Sequence, residues 1–519
     1  MDDNTLRQWL IECFGPIQGE MAFRQIDDLP DMIKDQLMSQ DPSKLPKPDE
    51  VRAMMQAFTA GGLNSPADMQ RTVAEGPINV KLAKSLALQR AGGEGSQSSV
   101  SAETAEAARR AMSEASLWLD TACELDPPSG EPQVLTRTGW VEGTIDAWAK
   151  FAAPVAESMN NALASVIADR LGDAFGGEIT GVFAGPVPIP IPEGMNSPAQ
   201  MMKLLGNTSF AMQLGQAAGA LSREVHGGFD QGVALLSNPA GALIAQNVEE
   251  YAASLDMPVG EVMSFLALRE MAHARLFASV PWLMPRFEAL IGKYARGVDI
   301  DLDAMEEQLR EASAMDPESI SGAVNLTKVG IADTPEQRAA KESLETMLAL
   351  VEGWVDCVTW RAGISHLPHL DQLREMMRRE RATGGPAERT FESLLGLELR
   401  PRRMREATAL WERIGATEGS EARDAKWGHP DLLPVLPADD AAGTAGAAGA
   451  IDAAPSGAAS ADGSEAAATP ASGADALSAG AGDGMTVDWD AELSRLLDAE
   501  SGDDDADDGA APADGTPQD

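Results

Sequence analysis

Apolar residues recur at helical spacing over most of the chain, and that pattern predicts a mainly α protein. Residues 101–123 open with Ser101 and Glu103, a start signal. Ala105, Ala108, Met112, Ala115 and Leu119 then fall on one helix face. Segment 136–171 carries two further helical patterns, separated near Pro154, and 198–223, 258–277, 281–295 and 336–360 continue the series. Period-two signals are few. The stretch 181–192 alternates Pro with Val or Ile, which suits an extended segment or an edge strand. Two short candidate strands, 232–236 (GVALL) and 241–244 (GALI), flank the turn-forming Ser237-Asn238-Pro239-Ala240. Asn247 is placed to cap a following helix. The expected architecture is therefore mainly α, with a small β element around 181–244 leading into a central helix at 258–277.

Three stretches break the pattern. Residues 40–50 are rich in Pro and charge, and 91–100 in Gly and Ser, so both read as linkers. From Ala438 onward Ala, Gly, Ser, Asp and Pro dominate, with too few apolar side chains to offset the entropy of ordering, so 438–519 reads as a disordered acidic tail. The predicted organisation is an N-terminal helical and linker region (1–75), a helical domain (76–437) and this tail. Within the tail, 485–500 places Trp489, Leu493, Leu496 and Leu497 on one stripe of a short amphipathic helix. That is the layout of a docking motif, or of a helix that packs back on its own domain.

Charge narrows the possibilities. The 519 residues carry a net −41, and the tail alone holds 19 acidic residues against the single Arg495. Such a surface disfavours nucleic acid and anionic membrane as partners. No apolar run approaches the ~18 residues of a membrane span. The start MDDNTLRQWL lacks the basic-then-apolar pattern of a signal peptide, so a cytoplasmic location is expected. Three scattered cysteines, Cys13, Cys123 and Cys357, exclude a disulfide framework and a paired-cysteine zinc knuckle. No Walker A loop, dinucleotide fingerprint or GxSxG elbow is present.

The candidate chemistry lies in 265–301. Arg269 and His273 are four apart, so they share a helix face, with Glu270 beside them. R-E-M-A-H is one residue away from H-E-x-x-H, in which two histidines hold Zn²⁺ and the glutamate activates the bound water. Glu352 and Asp356, again four apart, sit on a second apolar helix pattern. A guanidinium has no lone pair for a metal. Arg269 could instead supply the positive charge itself and pair with Glu352 or Asp356.

The sequence resembles a family of bacterial zincin-like hydrolases described as zinc-dependent metalloproteases, relatives of coenzyme-biosynthesis-associated proteins. The matching landmarks are GPINVKLAK (76–84), WVEGTIDAWAKFAAPVA (140–156), LREMAHARLFASVPWL (268–283), YARGVDID (294–301), EGWVD (352–356), the 384–411 segment with RPRR, and KWGHPDLLP (426–434). The resemblance implies a zincin-like domain, zinc as cofactor, Glu270 as the catalytic general base, and His273 and Glu352 as metal ligands, with Asp356 ligating or orienting. Arg269 stands where the first motif histidine belongs, and this opposes zinc. Two functions follow: a zinc-dependent peptidase-type hydrolase, or a catalytically silent zincin scaffold that binds a protein or peptide partner through its tail helix.

The remaining constellations carry simpler readings. His366 and His369 (HLPH) suit a surface loop, His226 a helix C-terminus or a replacement ligand, His429 a structural role and Cys357 an inert buried thiol. Segment 374–405 holds nine arginines, the first Arg374 and the last Arg405, with five glutamates. It reads as a solvated helical face with i, i+4 ion pairs, as a dock for the acidic tail, or as a phosphate patch.

Overall fold

The computed structural model describes residues 3–27, 47–63, 65–93, 100–171, 182–184, 187–189, 198–297, 334–383 and 401–436. The predicted tail and its 485–500 helix lie outside them. The chain divides into two compact units, Met1–Glu421 and Ala422–Asp519. No described helix is long and apolar enough to cross a membrane.

The first unit begins with α1 (Asp3–Asp27), kinked at Gly15-Pro16, then α2 (Pro48–Ala60), α3 (Pro66–Glu75), α4 (Val80–Ala91) and α5 (Ala102–Leu119). The starts of α3, α4 and α5 are set by Ser65, Asn79 and Ser101, whose side chains accept from backbone N–H groups three residues on. Strand β1 (Gln133–Leu135) leads into α6 (Arg137–Leu171). Helix α6 runs through Pro154, where the sequence pattern suggested a break. An interior proline removes one helical hydrogen bond. Here Trp140, Val141, Ile145, Trp148, Phe151, Val155 and Met159 are all buried along the helix, and that packing outweighs the lost bond.

Strands β2 (Val182–Ala184) and β3 (Val187–Ile189) form an antiparallel pair, in keeping with the extended character expected of 181–192. Next come α7 (Pro198–Leu221), β4 (Ala242–Ile244), α8 (Ala245–Ser254), α9 (Val259–Ser279) and α10 (Leu283–Arg296). Strand β4 pairs in parallel with β1, in the register Gln133↔Ala242, Val134↔Leu243 and Leu135↔Ile244. The GVALL run is not a strand. Gly232 adopts φ +70° and closes a turn by donating to the Phe229 carbonyl at 2.8 Å, so Val233 and Leu235 are buried from a loop. Asn247 is not an N-cap either. It lies inside α8, donates to the Ser222 and Val225 carbonyls and accepts from Arg137 Nε at 2.7 Å. Its amide ties the end of α7 to the start of α8, a tertiary use that local spacing does not reveal.

Helix α11 (Pro335–Gly363) starts at a capping box in which Thr334 and Gln337 satisfy each other's backbone N–H groups. The end of α10 meets this box: a Cβ on Gly297 would lie 2.7 Å from Gln337 Cγ and 2.9 Å from Thr334 Oγ1. Helices α12 (Leu370–Thr383) and α13 (Met404–Glu418) complete the unit. Helix α4 packs on α7, α5 on α9, and α11 on α10, α9 and α13. The α11–α13 contact is close because Gly353 faces Ala407, where a Cβ would come within 2.6 Å of the Ala407 methyl. A short helix, Ser420–Ala425, passes from the first unit into the second. There Lys426–Gly428 and Pro430–Leu432 form single 3₁₀ turns, the latter capped by His429.

Candidate functional site

Helix α9 is buried on nearly every face from Val262 to Leu276, so its polar residues must find partners inside the protein. Arg269 and His273 share one face, as their spacing predicts. The His273 Nδ1 lies 2.9 Å from the Arg269 carbonyl, which only accepts, so the proton is assigned to Nδ1. This bond fixes the ring and turns Nε2 toward Glu352 Oε1 on α11, 3.1 Å away. The other oxygen of Glu352 receives Arg269 Nη2 at 2.5 Å. Arg381 on α12 adds a second guanidinium 3.7 Å from Oε1. Phe229 lies parallel to the His273 ring at 5.9 Å. Arg269, His273 and Glu352 are each less than 5% exposed, so α9 and α11 enclose a buried ion-pair cluster here.

Burial pushes the Glu352 carboxyl upward, but the charges of Arg381, Arg269 and His273 outweigh it and hold the group well below the usual carboxylate range. With Nδ1 turned to the Arg269 carbonyl, Nε2 is the ring atom left to face Glu352.

Glu270 follows Arg269 directly and has an entirely different environment. Its Oε1 accepts the backbone N–H groups of Gly228 and Ala242, both at 2.8 Å, and its Oε2 that of Phe229 at 3.2 Å. The carboxyl thereby pins the loop between α7 and β4 against α9. The loop must come close: a Cβ on Gly227 would sit 2.3 Å from Oε2, and one on Gly241 2.8 Å from Oε1 at φ +78°. Burial pushes Glu270 up to about 8, against the pull of the Ala242, Gly228 and Phe229 N–H groups. Both carboxylate oxygens are thus committed to backbone donors, where a general base would need one facing a substrate proton.

Asp356 has its own partners. Its Oδ2 accepts from Arg374 Nε at 2.9 Å and Arg378 Nη2 at 2.6 Å, both on α12, and Arg374 continues to Glu412 on α13. Arg374, Arg378 and Arg381 therefore point inward, which corrects the picture of a wholly solvated basic face. Their spacing of four and three residues was the available signal. Arg379 and Glu375 do form the expected i, i+4 pair at 2.8 Å.

His226 lies just beyond α7 beside Asp230, with its Nδ1 3.2 Å from Asp230 Oδ2 and its ring against Tyr251 at 4.4 Å. Burial raises Asp230, but the His226 hydrogen bonds and the charges of His226 and Arg381 prevail and bring it to about 2. His366 stacks on Trp118 at 4.2 Å, and His369 pairs with Glu261 at 2.9 Å. Phe229 and Asp230 were not singled out from the sequence, because only long-range folding brings them to α9.

A catalytic zinc takes three protein ligands and a water. Among the described residues, no three His, Cys, Asp or Glu side chains gather to hold a metal ion. His273 Nε2 and Glu352 converge, but Glu352 is occupied by two guanidiniums, Arg269 offers no lone pair, and Asp356 is bound elsewhere. This donor set does not fit a catalytic zinc.

Comparison with known proteins places the chain in a class. The model of the zincin-like metallopeptidase family matches residues 78–441, more than half of the chain, and the protein belongs to that family. A crystal structure from Chloroflexus aurantiacus, described as a putative hydrolase with a novel fold, is similar at 19% identity and a TM-score of 0.46. The match covers 69% of this chain and 94% of that one. No curated protein matches. The family is a hydrolase-type class with zinc as its usual metal, and the central charges of this member depart from that chemistry.

Proposed function

We propose that this chain is a zincin-like scaffold in which a guanidinium takes the place of the catalytic metal, and that it acts by binding a protein or peptide and not by hydrolysis. The observation that carries this reading is the buried Arg269–Glu352–His273 cluster. Arg269 supplies the positive charge a metal would bring, and Glu352 and His273 turn to it and to each other. A metal entering between them would have to displace a 2.5 Å ion pair in a buried site. Glu270 serves as a clamp on the neighbouring loop. The amphipathic segment 485–500 in the acidic tail is the proposed docking element.

Elemental analysis of chelator-free protein, with His273→Ala alongside, tests the reading. The expected result is no stoichiometric metal in either protein. Near-stoichiometric zinc that disappears in the variant would overturn it. Family membership favours a second reading, a hydrolase with an altered metal site at His273 and Glu352. In that case peptide cleavage would accompany the zinc and be lost with Glu352→Gln.

A further inference from the structure

The described part of the second unit ends in an apolar strip, Leu432-Leu433-Pro434-Val435-Leu436, that no site above uses. Its backbone is set by the sequence. Proline fixes φ at about −65°, and the residue before a proline is driven out of the α region toward the polyproline II conformation. Leu433 and Leu436 each precede a proline, Pro434 and Pro437. Leu433 has φ −62° and ψ 137°, close to the polyproline II geometry. The strip joins neither sheet of the described residues. It starts from a fixed point, because His429 caps the turn Pro430–Leu432.

A polyproline II helix has about three residues per turn, so residues three apart share a face. Burial follows that period. Leu433 and Leu436 are 8% and 7% exposed and anchor the strip, whereas Leu432 and Val435 are 54% and 72% exposed. Pro434 lies between the two faces and is half-buried. One exposed apolar side chain is ordinary on a protein surface. Two of them on one face of a preordered strip, with prolines at 434 and 437, are the layout that aromatic-lined grooves recognise, because little entropy remains to be lost on binding. The flanks indicate the charge of such a groove. From Asp431 to Asp440 the acids Asp431, Asp439 and Asp440 occur with no basic residue, so the matching rim carries Lys or Arg.

We propose that Leu432, Pro434 and Val435 form a docking strip for a partner domain that binds polyproline II segments in an aromatic groove with a basic rim. This is a second docking element, separate from 485–500, and it does not depend on how the centre around Arg269 is read.

The test is calorimetric titration of full-length protein with a panel of purified SH3 and WW domains, chosen so that some grooves have basic rims and others acidic ones. Val435→Ser is the main variant and Leu432→Ser the second. Both positions are exposed, and circular dichroism checks that each variant folds. Leu117→Ser, at a 67% exposed apolar position outside the strip, is the control for general apolar adhesion. The expected result is saturable binding by basic-rimmed domains, about tenfold weaker in Val435→Ser and in Leu432→Ser and unchanged in Leu117→Ser. Absence of saturable binding across the panel would overturn the proposal, as would a preference for acidic rims. Wild-type binding by both strip variants, or an equal loss in Leu117→Ser, would overturn it too.

Discussion

Glu270 and Glu352 are the same residue, each almost fully buried, on two helices that pack together, yet they titrate in opposite directions. Glu352 faces Arg269, Arg381 and His273, and these charges hold its carboxyl far down. Glu270 faces three backbone N–H groups, and burial still wins, lifting it to about 8. Full opposite charges in a low-dielectric site outweigh desolvation, whereas three peptide dipoles do not. The two carboxyls therefore do different work: one balances charge in the core, the other fastens a loop.

The largest effect expected from this contrast is in Glu352→Ala, which leaves Arg269 and Arg381 buried without their acid. A loss of about 3–5 kcal/mol in urea-unfolding stability is expected. The double variant Arg269→Met with Glu352→Leu should recover much of it, and a loss as large as that of the single variant would mean that the pair itself stabilises the fold.

Next is the pH dependence. Glu270 loses its proton near 4.5 in the unfolded chain and at about 8 in the folded one. Between those values the folded state holds a proton that the unfolded state has released, so stability falls as pH rises. The fall should amount to a few kcal/mol, read from unfolding midpoints between pH 4.5 and 8, and Glu270→Gln should flatten it. For Glu352 and Asp230 the sign reverses. Their folded values are depressed, so their contribution is present above about 4.5 and 3.8 respectively and is lost as pH falls further. The acid limb should persist in Glu270→Gln and shrink in Asp230→Asn.

Smaller still is Gly227→Ala, whose methyl would meet Glu270 Oε2 and displace it from the Phe229 N–H. A destabilisation of about 1–3 kcal/mol is expected, less when Glu270 is already alanine, because the two changes share one contact. The smallest is Arg379→Ala. It removes an exposed i, i+4 pair with Glu375 and should change stability by less than about 0.5 kcal/mol.

Much of the helical framework was legible in local spacing. Ser101, the periodic alanines after it and the R-E-x-x-H run all announce their helices. The meeting of Arg269 with a carboxylate on 336–360 followed from ligand chemistry, since a guanidinium there needs an acid. What stayed hidden depends on contacts between distant segments. Strand β1 is only three residues long and exists because β4 lies beside it. Pro154 is tolerated because of the large side chains buried along α6. Asn247 and Glu270 read locally as a cap and a base, yet the loop that folds over α9 takes the glutamate's carboxylate, and the end of α7 takes the asparagine's amide. Asp356 carries no local mark of its arginine partners, although the inward stripe of Arg374, Arg378 and Arg381 was visible in their spacing.

The capping box at Thr334 touches Gly297, so the chain leaves α10 and re-enters α11 at almost the same point in space. Gly297 therefore ties the exit of one helix to the entry of another, and any side chain placed there would press on both members of the capping box at once.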